Sequence, residues 1–134
     1  MTIDINVRAA IIYDGELLVL GRKNGGGKFR YELPGGNIDK DETHLSALER
    51  ECVEEVGKKP DIQPQVFARA KNHQKNMENW IYLATIRSKR RPIPKLEDGF
   101  KKYKWISSEN RAKYRFNQST EYAINKLISD GYLK

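Results

Sequence analysis

Four carboxylates lie within seven residues of this chain, in the segment ERECVEEVG at positions 49–57. The surrounding region, 39–55, holds seven acids and two bases, a net charge of −5, although the whole chain carries +7. Glu51, Glu54 and Glu55 have the spacing i, i+3, i+4, which places them within about one turn of each other on a helix. Like charges at i, i+4 destabilise a helix by roughly 0.2–0.5 kcal/mol, so the crowding calls for an explanation.

A hard divalent cation is one explanation for the crowded carboxylates. Mg²⁺ and Mn²⁺ prefer oxygen ligands, and bound Mg²⁺ keeps positions for water and for substrate phosphates. The other explanation is a solvated acidic face of the kind that many Glu-rich helices carry. The cluster alone therefore predicts either a metal site suited to phosphate chemistry or an acidic surface.

The residues around the cluster predict a helix over 43–56. Thr43 is a suitable N-cap, and Gly57 is suitable for the left-handed residue that ends many helices. At about 100° per residue the apolar side chains fall on one side, and we expect the three glutamates on roughly the opposite side. The apolar residues of this helix are Leu45, Leu48, Cys52 and Val56.

The remaining elements predict one mixed sheet with a helix on each side. Asp14-Gly15 between two apolar runs, 5–13 and 16–20, is typical of a hairpin turn. A short strand at 29–33 is expected to stop at Pro34-Gly35-Gly36. Further strands are predicted at 65–70, 80–86 and 103–106, a basic loop at 87–98, and a last helix over about 119–129.

The composition predicts a single folded domain, 1–134, large enough for a real core. One cysteine excludes an intramolecular disulfide and is typical of a reducing compartment. The N-terminus lacks the pattern of a signal peptide, and no apolar run has the length of a membrane span. We therefore expect a soluble cytoplasmic protein with no membrane partner. The sequence leaves open whether the protein is a monomer or a homodimer.

The spacing of residues around the cluster resembles the Nudix box, here residues 36–58. From Gly36 the chain has five residues, Glu42, seven residues, and then RECVEEVG at 50–57. This is similar to G-x5-E-x7-R-E-U-x-E-E-x-G-U, with U apolar, at every position except the last, which is Lys58. Leu33-Pro34-Gly35 resembles the usual lead-in. The resemblance implies a MutT-like Nudix hydrolase with an α/β/α sandwich fold, which cleaves nucleoside diphosphates linked to another group.

The resemblance also implies roles for individual residues. Glu51, Glu54 and Glu55 correspond to catalytic metal ligands for Mg²⁺ or Mn²⁺, and the Gly35 carbonyl to a further ligand. Bound metal bridges the diphosphate oxygens and lowers the pKa of an attacking water.

Two further assignments concern the ion pair and the general base. Glu42 and Arg50 are similar to the family's structural ion pair, which orients the loop against the helix. Family members take the base from the box or from a downstream loop. Glu97 is the first downstream candidate, as base or additional ligand, and Asp98 is the second.

Basic side chains and one asparagine are candidates for binding the substrate. Arg and Lys bind phosphates through charge-assisted hydrogen bonds. Residues 116–118 resemble a stretch in MutT-type triphosphatases where an Asn reads the purine edge, which makes Asn117 a base-reading candidate; a helix cap is its alternative role. The basic candidates are Arg8, Arg22, Lys23, Lys28 and Arg30.

The leading substrate is a nucleotide of the (d)NTP type or another small nucleotide. Secondary motifs typical of the coenzyme A, NADH, ADP-ribose and diadenosine polyphosphate groups are absent, which argues weakly against those groups. The alternatives are an ADP-ribose or nucleotide-sugar pyrophosphatase, a non-catalytic nucleotide- or RNA-binding module, and an RNA 5′-end pyrophosphohydrolase. For the RNA enzyme, the residues expected to hold the RNA backbone are Arg87, Lys89, Arg90 and Arg91.

Overall fold

A mixed β-sheet lies between two α-helices in the computed structural model, which describes residues 3–97 and 99–134. The arrangement confirms the predicted α/β/α fold. Within the described residues, neither helix is both long and apolar enough to cross a membrane. The elements in chain order are β1 Asp4–Tyr13, β2 Glu16–Lys23, β3 Phe29–Glu32, β4 Gly35–Asn37, α1 His44–Val56, β5 Asp61–Ile62, β6 Ala68–Asn72, β7 Met77–Thr85, β8 Lys102–Ile106, a 3₁₀ helix Arg111–Lys113 and α2 Gln118–Ser129.

Strand β1 is the centre of the sheet. It runs parallel to β7 along one edge, in register from Asp4 opposite Met77 to Ile11 opposite Ala84. Its other edge is shared by two antiparallel partners, β4 near the start and β2 near the end. Strands β3 and β8 flank β2, and β5 and β6 flank β7. The Nudix-like segment begins at Gly36 within β4. Its first residues are therefore hydrogen-bonded directly to β1.

The turn between β1 and β2 confirms the predicted hairpin. Asp14 and Gly15 have φ of +50° and +75°, the positive values that a tight two-residue turn requires. The pairing places Tyr13 opposite Glu16 and Ile12 opposite Leu17. A local sequence signal therefore fixes the register of the first two strands.

Two apolar cores lie on the two faces of the sheet, because side chains alternate along each strand. On the α1 face, Leu48 and Cys52 pack with Val7, Ala9 and other residues. The α2 face is filled by a separate set: Ala10, Leu17, Val19, Tyr31, Leu33, Ala68, Ile81, Ile106, Ala123, Ile124, Leu127 and Leu133. Even-numbered residues of β1 thus face α2, and Arg8 is one of them.

Two short strands differ from the prediction. Gly35–Asn37 forms β4, although Pro34-Gly35-Gly36 predicted only a stop, and Asp61–Ile62 forms β5. Neither segment has an alternating apolar pattern, so their pairing is imposed by the edges of β1 and β7 rather than by local preference. The predicted 65–70 strand also begins later, at Ala68.

Candidate active site

The capped helix α1 positions the acidic residues. Thr43 Oγ1 accepts a hydrogen bond from the Ser46 N–H (3.1 Å), and Ser46 Oγ accepts one from the Thr43 N–H (3.0 Å). At the other end Gly57 has φ of +74° and donates to the Val53 carbonyl (3.1 Å). These contacts confirm both predicted caps and satisfy backbone groups that a helix end leaves unpaired.

The three glutamates of α1, named here the carboxylate cluster (Glu51, Glu54 and Glu55), do not share one environment. The Glu54 side chain is half-exposed, whereas Glu55 is only 4% exposed. The expectation that all three lie opposite the apolar side is therefore wrong for Glu55. Seven residues separate it from Leu48, a rotation about 20° short of two full turns. Glu55 consequently enters the core side of the helix.

Glu55 is held by the backbone of β4. Its Oε1 accepts a hydrogen bond from the Gly35 N–H at 2.7 Å. The pKa of Glu55 is raised to about 7, chiefly because the carboxyl group is buried. The charge of Glu51 also raises this pKa, whereas the Gly35 hydrogen bond and the charge of Arg8 lower it. Gly35 has φ of +148°, and a Cβ there would lie 2.0 Å from the Val7 carbonyl oxygen. Only glycine permits this approach.

Residues 33–35 connect three layers through three of their backbone hydrogen-bonding groups. The Leu33 N–H donates to Thr120 Oγ1 of α2 (3.1 Å). The Pro34 carbonyl accepts from the Ala9 N–H of β1 (2.8 Å), and the Gly35 N–H donates to Glu55 of α1. This short segment is therefore anchored to both helices and to the central strand.

Glu51 lies against a second glycine. A Cβ on Gly36 would lie 2.8 Å from Glu51 Cδ, so the absence of a side chain makes room for the carboxylate. Burial raises the pKa of Glu51, while Arg50 acts in the opposite direction and Glu54 adds to the increase. The two glycines of β4 thus let two carboxylates approach the sheet edge.

Arg50 connects the loop before α1 to the carboxylate cluster. Its Nε and Nη2 donate to the two oxygens of Glu42, at 2.8 and 2.9 Å. Its Nη1 donates to Glu51 (2.9 Å) and Glu54 (3.4 Å), and Nη2 also donates to the Asn37 carbonyl (3.2 Å). The bonds to Arg50 lower the pKa of Glu42, and those from Glu42 raise the pKa of Arg50. The structure places the expected ion pair in contact.

The donor chemistry of the cluster fits a hard divalent cation, since all three side chains offer carboxylate oxygens beside one another. The side-chain positions do not converge on one point. Within residues 3–97 and 99–134, no group of three or more His, Cys, Asp or Glu side chains is arranged to hold a metal ion. Glu51 and Glu54 bind Arg50 instead, and Glu55 binds the Gly35 N–H.

Of the two downstream candidates, only Glu97 can be placed. It is exposed in the loop before β8, where its carbonyl accepts the Phe100 N–H (3.2 Å). Within the described residues, its side chain has no ion pair with the groups around the cluster. Asp98 lies outside the described residues. The role of Glu97 remains a prediction.

A cavity of about 580 Å³ opens beside the cluster, between α2 and the strands β1, β3, β6 and β7. Arg8 lies in its wall, donating from Nε to Asn79 Oδ1 (3.3 Å) and from Nη1 to the Leu33 carbonyl (3.1 Å). Arg8 is also paired with Gly35 of β4, whose N–H binds Glu55, so the cavity and the cluster adjoin. We call this space the cationic cavity; its lining includes Arg8, Arg30, Glu32, Arg69, Lys71, His73, Lys75, Asn79, Asn117, Gln118, Ser119 and Tyr122.

Three of the six predicted substrate-binding residues line the cationic cavity: Arg8, Arg30 and Asn117. The other three lie outside its lining. Arg22 pairs with Glu32 (3.1 Å) and lies over the Phe100 ring. Lys23 lies 5.7 Å from the Phe29 ring, and Lys28 is exposed in the glycine loop.

Asn117 is the N-cap of α2. Its Oδ1 accepts the Thr120 N–H at 3.0 Å, and its Nδ2 donates to Glu32 Oε2 at 3.4 Å. This confirms the capping role that the sequence offered as an alternative. A base edge would have to compete with both bonds for the same amide.

The basic loop after β7 lies apart from the cavity lining. Arg91 pairs with Glu16, and its guanidinium lies over the Trp105 ring. Arg87, Lys89 and Arg90 are exposed. This loop is therefore a separate basic surface.

A second cavity, of about 670 Å³, lies at the other end of α2. Its lining includes Gln65, Phe67, Leu83 and Tyr132 and no charged residue. It offers neither acids for a metal nor bases for a phosphate. Phosphate chemistry therefore points to the smaller cationic cavity.

Several lining residues were not predicted from the sequence. Asn79, Lys71, Lys75 and Tyr122 reach the cavity through the pairing of β6 and β7 and the packing of α2. A signal existed only for Asn79, which is a buried amide within a strand that is otherwise largely apolar. The others resemble ordinary surface residues.

Comparisons with known proteins agree with the motif. A NUDIX domain family model matches residues 4–127. No curated protein gave a significant match.

Solved structures share the fold at low identity. An ADP-ribose pyrophosphatase from Streptococcus suis is 17% identical, with TM-score 0.75, over 97% of this chain and 92% of that one. A MutT structure, from work on Aliivibrio salmonicida and Vibrio cholerae, is 20% identical, with TM-score 0.74, over 95% and 98%. A bifunctional NMN adenylyltransferase/ADP-ribose pyrophosphatase from Francisella tularensis, complexed with AMP and a Mn ion, is 23% identical, with TM-score 0.72, over 96% and 42%.

Proposed function

Because the chain belongs to the NUDIX domain family, we propose that this Nudix hydrolase cleaves the diphosphate linkage of a small nucleotide of the (d)NTP type. One observation carries the proposal. Arg8 lies in the wall of the cationic cavity and is paired with Gly35 of β4, whose N–H binds Glu55 of the carboxylate cluster. A nucleotide in the cavity therefore has its diphosphate beside the acids that a metal-dependent reaction needs.

The proposed metal ligands are the carboxylate cluster, with the Gly35 carbonyl and Glu97 as further ligands. Mg²⁺ or Mn²⁺ suits this all-oxygen donor set. When bound, the cation supplies charge neutralisation at the diphosphate and a water of lowered pKa. The similar Francisella tularensis protein was crystallised with AMP and a Mn ion, which supports the choice of metal.

The remaining roles belong to side chains of this chain. Arg50, fixed by Glu42, orients Glu51 and Glu54. Arg8 and Arg30 bind phosphate oxygens from the cavity side, since guanidinium groups bind them through paired hydrogen bonds. Glu97 accepts the proton of the attacking water or completes the ligand set. Arg22, Lys23 and Lys28 are substrate contacts only if the nucleotide extends beyond the cavity lining.

The alternative substrates keep some support. The similarity to the Streptococcus suis protein favours an ADP-ribose enzyme as strongly as that to MutT favours a triphosphatase, because both identities are low. For a 5′-end RNA enzyme, the exposed Arg87, Lys89 and Arg90 would hold the RNA backbone. Many phosphate contacts predict a steep loss of activity with salt, whereas a mononucleotide predicts a shallow one. A non-catalytic module would bind nucleotide without turnover.

A substrate screen tests the proposal. Nucleoside triphosphates, ADP-ribose, nucleotide sugars and dinucleoside polyphosphates are assayed with Mg²⁺, with Mn²⁺ and with EDTA. A metal ion stabilises the charge of the transition state by several kcal/mol, and each loss of about 1.36 kcal/mol lowers the rate tenfold. We therefore expect Glu54→Gln to lower kcat/KM about 10²- to 10³-fold. Activity that persists in EDTA, or full activity of Glu54→Gln, contradicts the metal assignment.

Glu49→Gln is the matched control for that variant. Glu49 is on the same helix but pairs with Lys59 (3.4 Å) outside the cluster. We expect its kcat/KM to stay within about twofold of the unmodified protein, since an exposed ion pair contributes little. Equal losses in both variants would indicate damage to α1 rather than removal of a ligand.

A further inference from the structure

Two asparagines lie side by side on the α2 face of the sheet, next to Arg8. Asn6 of β1 is directly opposite Asn79 of β7 in the parallel pair, and the two residues are 3% and 6% exposed. Asn6 is an even-numbered residue of β1, and residues opposite each other in adjacent strands point to the same face. Asn79 lines the cationic cavity. Buried strand positions are normally apolar, so two adjacent amides there call for an explanation.

Asn6 carries an unpaired hydrogen-bond donor. Within the described part of the chain, its Nδ2 is buried and makes no hydrogen bond. A buried N–H group without a partner is unfavourable, because water bonded it in the unfolded chain. Adjacent strands are about 4.8 Å apart, so the neighbouring Asn79 amide is close enough to accept this hydrogen bond.

The oxygen of Asn79 is instead engaged by Arg8. Arg8 Nε donates to Asn79 Oδ1 at 3.3 Å, and Arg8 Nη1 donates to the Leu33 carbonyl at 3.1 Å. A guanidinium group binds phosphate through paired N–H groups, and one such pair consists of Nε and Nη2. That pair is blocked while Nε is bonded to Asn79. An anion that binds there therefore releases the Asn79 oxygen.

We propose that Asn6 is a positioning residue that favours this release of Arg8. When Arg8 Nε turns to an anion in the cavity, Asn6 Nδ2 donates to the freed Asn79 Oδ1, so the two amides satisfy each other. The unpaired donor of the free protein is then an unfavourable group that anion binding removes. The inference rests on the proposed function, because it takes Arg8 as a phosphate-binding residue.

Asn6→Leu is the first test, because leucine has a similar shape and no polar group. Inorganic pyrophosphate is titrated calorimetrically, in EDTA, into the unmodified protein and the variant. We expect the dissociation constant to rise about fivefold or more, the size of one hydrogen bond between neutral groups. An unchanged dissociation constant overturns the proposal. So does an absence of pyrophosphate binding to the unmodified protein, because Arg8 would then hold no anion.

The stability of the same variant separates positioning from a structural role. We expect the urea midpoint of unfolding of Asn6→Leu to stay equal or to rise, because an unsatisfied buried donor has been removed. Affinity and stability therefore move in different directions. A fall in the midpoint that accompanies the loss of affinity would indicate a structural role for Asn6 and overturn the proposal.

Arg8→Ala tests whether Asn6 acts through Arg8. Without Arg8, the Asn79 oxygen is free to accept from Asn6 before any ligand binds. Adding Asn6→Leu to Arg8→Ala is therefore expected to change the dissociation constant of pyrophosphate less than twofold. A fivefold effect of Asn6→Leu in both backgrounds would show that Asn6 acts without Arg8 and overturn the proposal.

The side-chain amide signals of Asn6 provide a spectroscopic readout. In the unmodified protein, we expect its Nδ2 protons to shift downfield in the NMR spectrum as pyrophosphate is added, because they acquire an acceptor. In Arg8→Ala, we expect them to be shifted already and not to respond. Asn6 signals that stay unchanged in the unmodified protein at saturating pyrophosphate overturn the proposal.

Trp105→Phe is the matched control. Trp105 Nε1 is the other buried side-chain nitrogen without a hydrogen bond among the described residues. Trp105 packs in the core on the α1 face and does not line the cavity. We expect the dissociation constant of pyrophosphate to stay within about twofold in this variant. A loss of affinity equal to that of Asn6→Leu would assign the effect to the removal of any buried donor and overturn the proposal.

Hydrolysis separates this inference from the proposed function. With Mg²⁺ and a nucleoside triphosphate, we expect Asn6→Leu to raise KM about fivefold and to leave kcat within about twofold, because Asn6 influences substrate binding only. Loss of pyrophosphate affinity in EDTA supports the inference even if no nucleotide is hydrolysed. Hydrolysis with unchanged KM and unchanged pyrophosphate affinity overturns the inference and leaves the proposed function intact.

Discussion

The carboxylate cluster and the cationic cavity adjoin, yet they are built in opposite ways. The cluster comes from one helix turn, and one arginine holds two of its three acids. The lining of the cavity is drawn from β1, β3, β6, β7 and α2, so its charges are brought together by the sheet. Repulsion between the glutamates of the cluster is relieved by contacts within a short segment of the chain. The cations of the cavity come from parts of the chain that are distant in sequence.

This difference indicates how each region can fail. One substitution can disrupt the arrangement of the cluster. A side chain at Gly35 would collide with the backbone of β1, and one at Gly36 would collide with Glu51. Loss of Arg50 would remove the contact to Glu42. The cavity loses one cation at a time. We therefore expect large effects from changes near the cluster and graded ones from changes in the cavity.

Gly35→Ala is expected to have the largest effect on stability. The new Cβ would meet the Val7 carbonyl oxygen at 2.0 Å, in a backbone conformation that alanine rarely adopts. We expect a loss of about 3 kcal/mol or more in the free energy of unfolding, measured by denaturant titration.

Gly36→Ala is the matched comparison for Gly35→Ala. Its Cβ meets only the end of the Glu51 side chain, which can rotate away. We expect a loss of about 1 kcal/mol in stability but at least a 10-fold loss of kcat/KM. A similar stability for the two variants would contradict the assignment of Gly35 to backbone packing.

Arg50→Ala is expected to come next. It removes the bidentate contact to Glu42 and leaves Glu51 and Glu54 without their shared cation. Hydrogen bonds to charged groups contribute about 1.5–3 kcal/mol, so we expect a loss of that size in the free energy of unfolding. Arg50→Lys keeps the positive charge but not the bidentate geometry of the guanidinium group. We expect its loss in the free energy of unfolding to be intermediate. Equal losses for the two variants would show that geometry alone matters.

Asn117→Ala is expected to have the smallest effect. Losing the cap of α2 should lower the free energy of unfolding by about 1 kcal/mol. Asn117→Ser keeps a capping oxygen and should be nearly neutral. Because both amide atoms are engaged with Thr120 and Glu32, we expect discrimination among purine and pyrimidine nucleotides to be unchanged in both variants. A loss of discrimination in Asn117→Ser would restore the base-reading role.

The sequence was most informative where function depends on local spacing. The caps at Thr43 and Gly57, the hairpin at Asp14-Gly15 and the contact of Glu42 with Arg50 follow from residues near each other in the chain. Each has a preferred local conformation or a short-range partner.

Features that depend on partners distant in sequence could not be predicted. The strand Gly35–Asn37 exists because the edge of β1 supplies its hydrogen bonds, and no property of two glycines predicts that. Lys71 and Lys75 resemble surface residues until the hairpin that carries them is placed beside α2. The burial of Glu55 is different, because it follows from helix geometry alone: Glu55 is about two turns from Leu48 and therefore lies on the same side of α1.

Residues 33–35 have a consequence for how the molecule moves. Three of their backbone groups, the Leu33 N–H, the Pro34 carbonyl and the Gly35 N–H, are bonded to α2, β1 and α1 in turn. Displacement of either helix therefore pulls on the same segment, and the two outer layers of the sandwich must open together. We expect the amide protons of Leu33 and Gly35 to exchange with solvent only through near-global unfolding, which makes this segment a rigid joint between the layers.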